Sequence, residues 1–213
     1  MEILTAGIAF LERSSRRRSA REEMKRVLEP AATWAIAELE RRRREVVLTH
    51  VRGRLLDIGC GENRLVRQYG NGIGVDVVDW GNVDVVVKDS ARLPFPSSSF
   101  DTISFVACLN HIPSRERTLQ EARRVLKDDG QLLVTMIPPL VSAVWHRVVR
   151  PWDHDQSHRE HQDGEVWGFT APGIADLLRK SGFAIAFRKR FIFGLNNLYL
   201  ARKSSGSEAC GPE

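Results

Sequence analysis

Asp57, Gly59 and Gly61 stand together in "RLLDIGCGEN" (54–63), where an apolar run ends in a carboxylate and two residues without Cβ atoms. Glycine lets such a turn adopt φ > 0 and lets a ligand approach the main chain closely. In an open α/β sheet, ligands bind outside the carboxyl ends of the strands, so these residues fall where a ligand should sit. The carboxylate then selects its charge: a pyrophosphate would meet uncompensated repulsion, whereas an ammonium or a sulfonium would be attracted. A dinucleotide loop also uses GxG, but its third glycine is missing here, with Arg64 in that place. Two further aspartates follow β-rich runs, Asp76 in "GVDVV" and Asp89 in "KDSARLPF". The spacing of Asp76 after the glycine loop suits an acid on a ribose. For each aspartate the plainer reading is a helix or turn cap.

These residues need strands to hold them. From residue 54 onward, "RLLDI", "GIGVDV", "VDVVVKD", "DTISFVA" and "QLLVTMI" alternate with helical or turn segments, a rhythm that predicts a parallel sheet with crossovers. The clearest crossover helix is Arg115 to Leu126, with Leu119, Ala122, Val125 and Leu126 on one face and "DDG" ending it. Thr170 to Ser181 predicts a final helix closed by Gly182, and "FAIAFRKRFIF" and "NNLYLARK" a strand pair. Upstream, Leu28 to Val47 predicts a helix, with Pro30 in a first turn that tolerates it. The domain reading is therefore a basic helical extension over 1–50, an α/β domain over 51–203, and a disordered tail over 204–213. Within the domain, residues 138–170 form a lid or substrate-binding insertion rich in Pro, Trp and His.

With 213 residues, 42% hydrophobic and 28% charged, the chain can bury one sizeable core. No apolar run reaches the roughly 18 residues of a bilayer span, and Ile3 to Leu11 precedes its arginines, reversing the order of a secretory signal. Glu2, Glu12, Glu22 and Glu23 argue against an organelle presequence, leaving a cytoplasmic protein as the expectation. Cys60, Cys108 and Cys210 have no CxxC spacing, so neither a disulfide framework nor a zinc knuckle is indicated. Residues 1–44 carry eleven Lys/Arg against seven Asp/Glu, most of the chain's net +5. Such an arm can bind nucleic acid or an anionic membrane, but "RRRREVV" also reads as the solvated side of an amphipathic helix.

"LLDIGCGEN", "GVDVVD", "KDSARLPFPSSSFDTISFVACLNHI" and "EARRVLKDDGQLLVTM" resemble, in order and spacing, the motifs of class I S-adenosylmethionine-dependent methyltransferases, particularly the small-molecule branch called methyltransferase type 11. The resemblance covers about residues 54–137 and implies a Rossmann-like α/β fold, a mostly parallel sheet sandwiched by helices with an antiparallel final strand. It implies S-adenosylmethionine as cofactor and S-adenosylhomocysteine as product. Asp57, Gly59, Cys60 and Gly61 would surround the methionine half, Asp76 with Val77 the ribose, and Asp89, Ser90 and Ala91 the adenine. Val106 and Ala107 would line the methionine end. Two departures stand out: Asn63 replaces the glycine usual at the end of the first loop, and only "DWGN" separates the second and third strands, where the family commonly has a helix.

Methyl transfer from a sulfonium is an in-line displacement with a good leaving group, so positioning is the enzyme's main contribution. His111, in "LNHIP", is the candidate general base for a hydroxyl or acidic carbon, or else a loop histidine that packs or caps. In the insertion, Trp145, His154, His158 and His161 are candidate substrate contacts, and Trp152 and Trp167 add to an apolar or aromatic pocket. The histidine spacing matches no strong zinc signature, and no metal site is assigned. The leading function is a small-molecule methyltransferase. A nucleic-acid or protein methyltransferase using the basic arm, and an inactive cofactor-binding protein, are the alternatives. Nucleic acid is disfavoured because "ACLNHIP" stands where an "NPPY"-type motif would serve a flipped base. A homodimer is left open.

Overall fold

The computed structural model describes residues 2–139, 166 and 168–204. The chain divides into two compact units, and the larger, Arg41–Val144 with His161–Glu213, carries the whole sheet. The first 40 residues belong to the smaller unit.

Seven strands form one sheet in the order β3-β2-β1-β4-β5-β7-β6. They are β1 (Leu55–Ile58), β2 (Gly72–Asp76), β3 (Val85–Val86), β4 (Phe100–Val106), β5 (Leu126–Met136), β6 (Phe183–Phe191) and β7 (Asn196–Lys203). β1 pairs in parallel with β2 and β4, β4 with β5, and β2 with β3. β7 runs antiparallel to both β5 and β6. The expected mostly parallel α/β sheet with an antiparallel last strand is what the chain forms.

The helices are α1 (Glu2–Leu48), α2 (Arg64–Tyr69), α3 (Arg115–Val125) and α4 (Ala171–Lys180), with a 3₁₀ turn at Leu109–His111. One face of the sheet is covered by a core of Leu56, Ile58, Ile103 and Leu132 with Leu119 and Ala122 of α3 and Ile174 and Leu178 of α4. On the other face Leu55, Leu133 and Leu198 pack with Val47 of α1 and Leu65 and Val66 of α2. The alternation along each central strand thus feeds two cores, as a sheet buried on both sides requires. Thr170 caps α4, its hydroxyl accepting from Gly173 N at 3.2 Å, and Gly182 follows the helix at φ 80°.

Two boundaries differ from the expectation. α1 passes through Pro30 instead of starting beside it. Proline removes the bond to the carbonyl four residues earlier, at Arg26, and since residues 26–31 are exposed, water can satisfy that carbonyl. β5 begins at Leu126, so "DDG" is not a helix stop; it sits at a register shift between the Phe100–Leu126 and Thr102–Gln131 pairs. As the short "DWGN" spacing indicates, no helix joins β2 to β3: 77–84 holds only bends and irregular backbone. Val77 and Val86 are accordingly exposed.

Candidate cofactor site at the carboxyl edge of the sheet

β1, β2, β4 and β5 all end on the same edge, and Asp57, Gly59, Gly61, Asp76, Val106 and Ala107 lie at those strand ends. Asp57 is buried at the penultimate position of β1, and the Ser104 hydroxyl of β4 donates to its Oδ1 at 2.6 Å. Burial pushes its carboxyl up to about 7; the Ser104 bond pulls it down, and the charge of Asp76 adds a smaller push upward. Such a group titrates where a cationic neighbour would fix it ionised.

The loop after β1 is held from β2. Gly59 and Cys60 both donate their amides to Val75 O, at 2.9 and 3.1 Å. Gly59 has φ 72°, and a Cβ there would lie 2.7 Å from Cβ of Cys108. Gly61 has φ 53°, yet a Cβ would meet nothing within 4 Å, so open space lies over this backbone. Gly61 N donates to Asp76 Oδ2 at 2.9 Å and Val78 N to Asp76 Oδ1 at 3.1 Å. Each Asp76 oxygen thereby has one main-chain donor and lone-pair capacity left for a second. The Cys60 thiol is pushed up by burial and by Asp57, Asp76 and Asp84, which holds it as a neutral thiol, not a nucleophile.

Asp89 is exposed in the turn after β3, its Oδ1 accepting from Ala91 N at 2.9 Å, so it closes a turn as the plainer reading expects. Ser90 is buried, its hydroxyl 3.1 Å from that of Thr118. Val106 ends β4, and Ala107 follows at φ 56° with its amide donating to Thr135 Oγ1 at 3.0 Å. His111 closes the 3₁₀ turn, half-buried, with Nε2 3.0 Å from Asn110 Nδ2. Trp145, Trp152, Trp167, His154, His158 and His161 lie outside the described residues. Among the described residues, no His/Cys/Asp/Glu cluster could hold a metal ion.

Several supports were not singled out from sequence. Ser104 and Thr135 are buried hydroxyls in otherwise apolar central strands, and a buried hydroxyl must bond something nearby, which was the available signal. Asn63 is another. It sits in αL at φ 61°, ψ 24°, so the turn survives the loss of glycine. Its Nδ2 donates to Asn82 O at 2.9 Å and to Asp84 Oδ2 at 2.8 Å, while Arg67 pairs with Asp84 at 2.7 Å. Asn63 therefore pins the short 77–84 connection onto the first loop, a bond set glycine could not make.

The chemistry of this edge suits an adenosyl sulfonium: a buried carboxylate, bare backbone under open space, and a second acid bonded to that backbone with acceptor capacity left. The family model for a methyltransferase domain matches residues 16–186. MJ1252 of Methanocaldococcus jannaschii is 40% identical over 91 residues, which are 38% of this chain and 36% of that protein. The ubiquinone/menaquinone biosynthesis C-methyltransferase UbiE of Pseudomonas savastanoi pv. phaseolicola is 31% identical over 103 residues, 38% of this chain and 40% of that one. The chain thus spans well under half the length of these curated relatives. Among solved structures, the Burkholderia thailandensis 1,6-didemethyltoxoflavin-N1-methyltransferase, crystallised with 1,6-didemethyltoxoflavin and S-adenosylhomocysteine, shares the fold. Its TM-score is 0.57 at 20% identity, covering 92% of this chain and 89% of that one. On the family match and the sheet order together, the chain belongs to the class I S-adenosylmethionine-dependent methyltransferases.

Proposed function

We propose that this protein transfers the methyl group of S-adenosylmethionine to a small-molecule acceptor of apolar or aromatic character. The observation that carries the reading is the joined pair of acids: buried Asp57 behind the glycine loop, and Asp76 bonded to Gly61 N of that same loop. The cofactor supplies a methyl on a sulfonium that departs as a neutral thioether. Asp57 holds the ammonium, directly or through ordered water, and Asp76 accepts from the ribose hydroxyls. Asp89, Ser90 and Ala91 meet the adenine, with the Asp89 oxygen not taken by Ala91 N accepting from its amino group. Val77, 45% exposed beside Asp76, offers the adenosine an apolar surface. Val106 and Ala107 bound the methionine end.

The chain's task in the reaction is to hold acceptor and methyl in line, which is where most of the rate enhancement of such a displacement arises. His111 follows β4 on the same edge and accepts the acceptor's proton where the acceptor is a hydroxyl or acidic carbon. The acceptor class is supported by the likeness to UbiE and to the toxoflavin methyltransferase, whose names specify small molecules.

The test is a panel of quinol, phenol and heteroaromatic acceptors incubated with the protein and methyl-labelled S-adenosylmethionine, beside protein and nucleic-acid substrates. Label entering one of the small molecules is expected. Label entering only protein or nucleic acid, or cofactor bound without turnover by any acceptor, would overturn the reading.

A further inference from the structure

The outer strand β6 ends in a turn unlike the surface around it. Ile192 and Phe193 have φ 51° and 54°, followed by Gly194 at 81°. Left-handed turn positions favour Asn, Asp and Gly, and disfavour β-branched and bulky side chains. Here they carry Ile and Phe, and Phe193 is 99% exposed, with Leu195 also exposed. A polar turn would fold at lower cost, so folding does not account for these side chains.

The strand leading to the turn is basic. Arg188, Lys189 and Arg190 are exposed, and the sequence has no Asp or Glu between Leu177 and Ser207. Arg188 donates to Asn197 Oδ1 at 2.8 Å, which fixes one guanidinium at the base of the turn. Basic side chains on an edge strand oppose pairing with another strand. An apolar tip above a basic collar instead complements an anionic lipid surface, where acyl chains lie beneath negative headgroups.

The tip also faces a useful direction. β5 and β6 are both antiparallel to β7, so they run the same way, and Phe191 pairs with Asn196 beside the Met136–Asn197 pair. The turn therefore projects from the same edge of the sheet on which Asp57, Asp76 and Ala107 lie.

We propose that the β6–β7 turn docks the protein on an anionic lipid surface, with Phe193 and Leu195 among the acyl chains and Arg188, Lys189 and Arg190 on the headgroups. Docking turns the carboxyl edge of the sheet toward the bilayer, so an amphiphilic acceptor reaches it without crossing water. The acceptor's entry route rests on the methyl-transfer reading; the docking does not.

Full-length protein is sedimented with vesicles of phosphatidylglycerol and phosphatidylcholine, and with phosphatidylcholine alone. Binding to the anionic vesicles that weakens with salt is expected. Phe193→Asp/Leu195→Asp should lower it about tenfold or more, Phe193→Trp should retain it, and Lys189→Gln/Arg190→Gln should lower it and flatten its salt dependence. S-adenosylhomocysteine affinity should stay unchanged in all of them, which certifies the fold. No binding to anionic vesicles, or equal binding by wild type and Phe193→Asp/Leu195→Asp, would overturn the proposal. So would a wild-type oligomer that the aspartates dissociate without any vesicle binding, since a second copy would then cover the turn. Vesicle binding in a protein that fails to bind S-adenosylhomocysteine would overturn the methyl-transfer reading and leave the docking standing.

Discussion

Ser104 Oγ donates to Asp57 Oδ1 at 2.6 Å across a register in which β4 sets the two residues directly opposite. The bond favours the carboxylate, yet burial outweighs it, and the carboxyl titrates near 7. A cationic ligand favours the ionised form, so its binding should expel a proton where Asp57 is partly protonated. S-adenosylhomocysteine affinity should rise from pH 6 to pH 8. Calorimetry in two buffers of different ionisation enthalpy should show proton release near pH 6.5 that fades by pH 8. A flat affinity without proton release would separate Asp57 from the ligand's ammonium.

The same displacement makes a stability prediction. A folded pKa of about 7 against an ordinary 3.8 means that protonated Asp57 stabilises the fold fully below about pH 4. That contribution is lost as the pH rises toward 7. Asp57→Asn cannot ionise, so its stability relative to wild type should grow between pH 4 and 7 and then level, with a ceiling of about 4 kcal/mol. Thermal unfolding of both proteins at pH 5 and pH 8 measures it. An identical difference at both pH values would mean that Asp57 titrates normally in the folded protein.

Asp57 and Asp76 should differ in the ligand parts they serve. Asp76→Ala frees Gly61 N and Val78 N and, on the proposed reading, would leave ribose hydroxyls without acceptors, so every adenosine-containing ligand should bind about 1–3 kcal/mol more weakly. Asp57→Asn should weaken S-adenosylhomocysteine but spare methylthioadenosine, which lacks the amino-acid ammonium. Titrating both variants with both ligands decides it. Equal losses for the two ligands in Asp57→Asn would reduce that carboxylate to a brace for the loop.

What the sequence disclosed follows from how local each signal is. Strand-end acids and glycines are read from spacing, and a parallel sheet follows from strands alternating with crossovers, so Asp57, Gly61 and Asp76 fall at the carboxyl ends of their strands on sequence alone. Ser104 and Thr135 could not, because their roles depend on which strand lies beside which, a register that no single segment encodes. The continuation of α1 through Pro30 was hidden for the opposite reason: a local breaker was read as a boundary, although an exposed carbonyl made it tolerable. The role of Asn63 emerged only with Asp84, twenty-one residues away in sequence, at its side chain.

That pairing carries its own test, because Gly74 lies against it. A Cβ on Gly74 would fall 2.0 Å from Asn63 Oδ1 and 2.9 Å from Cys60 Sγ, and Gly74 N donates to the same Asp84 that accepts from Asn63. Gly74→Ala must displace the buried amide and loosen the 77–84 connection, at about 1–3 kcal/mol. Asn63→Gly suits the αL turn but gives up the bonds to Asn82 and Asp84, so it too should destabilise, by about 1–2 kcal/mol. If the overlap with Asn63 is the cause, the double variant should be more stable than the sum of the singles by about 1 kcal/mol or more, with partial relief only because Cys60 Sγ remains. Chemical denaturation of the four proteins gives the coupling directly. Strict additivity would move the cost of Gly74→Ala to Cys60, and the amide of Asn63 would then hold the connection without constraining β2.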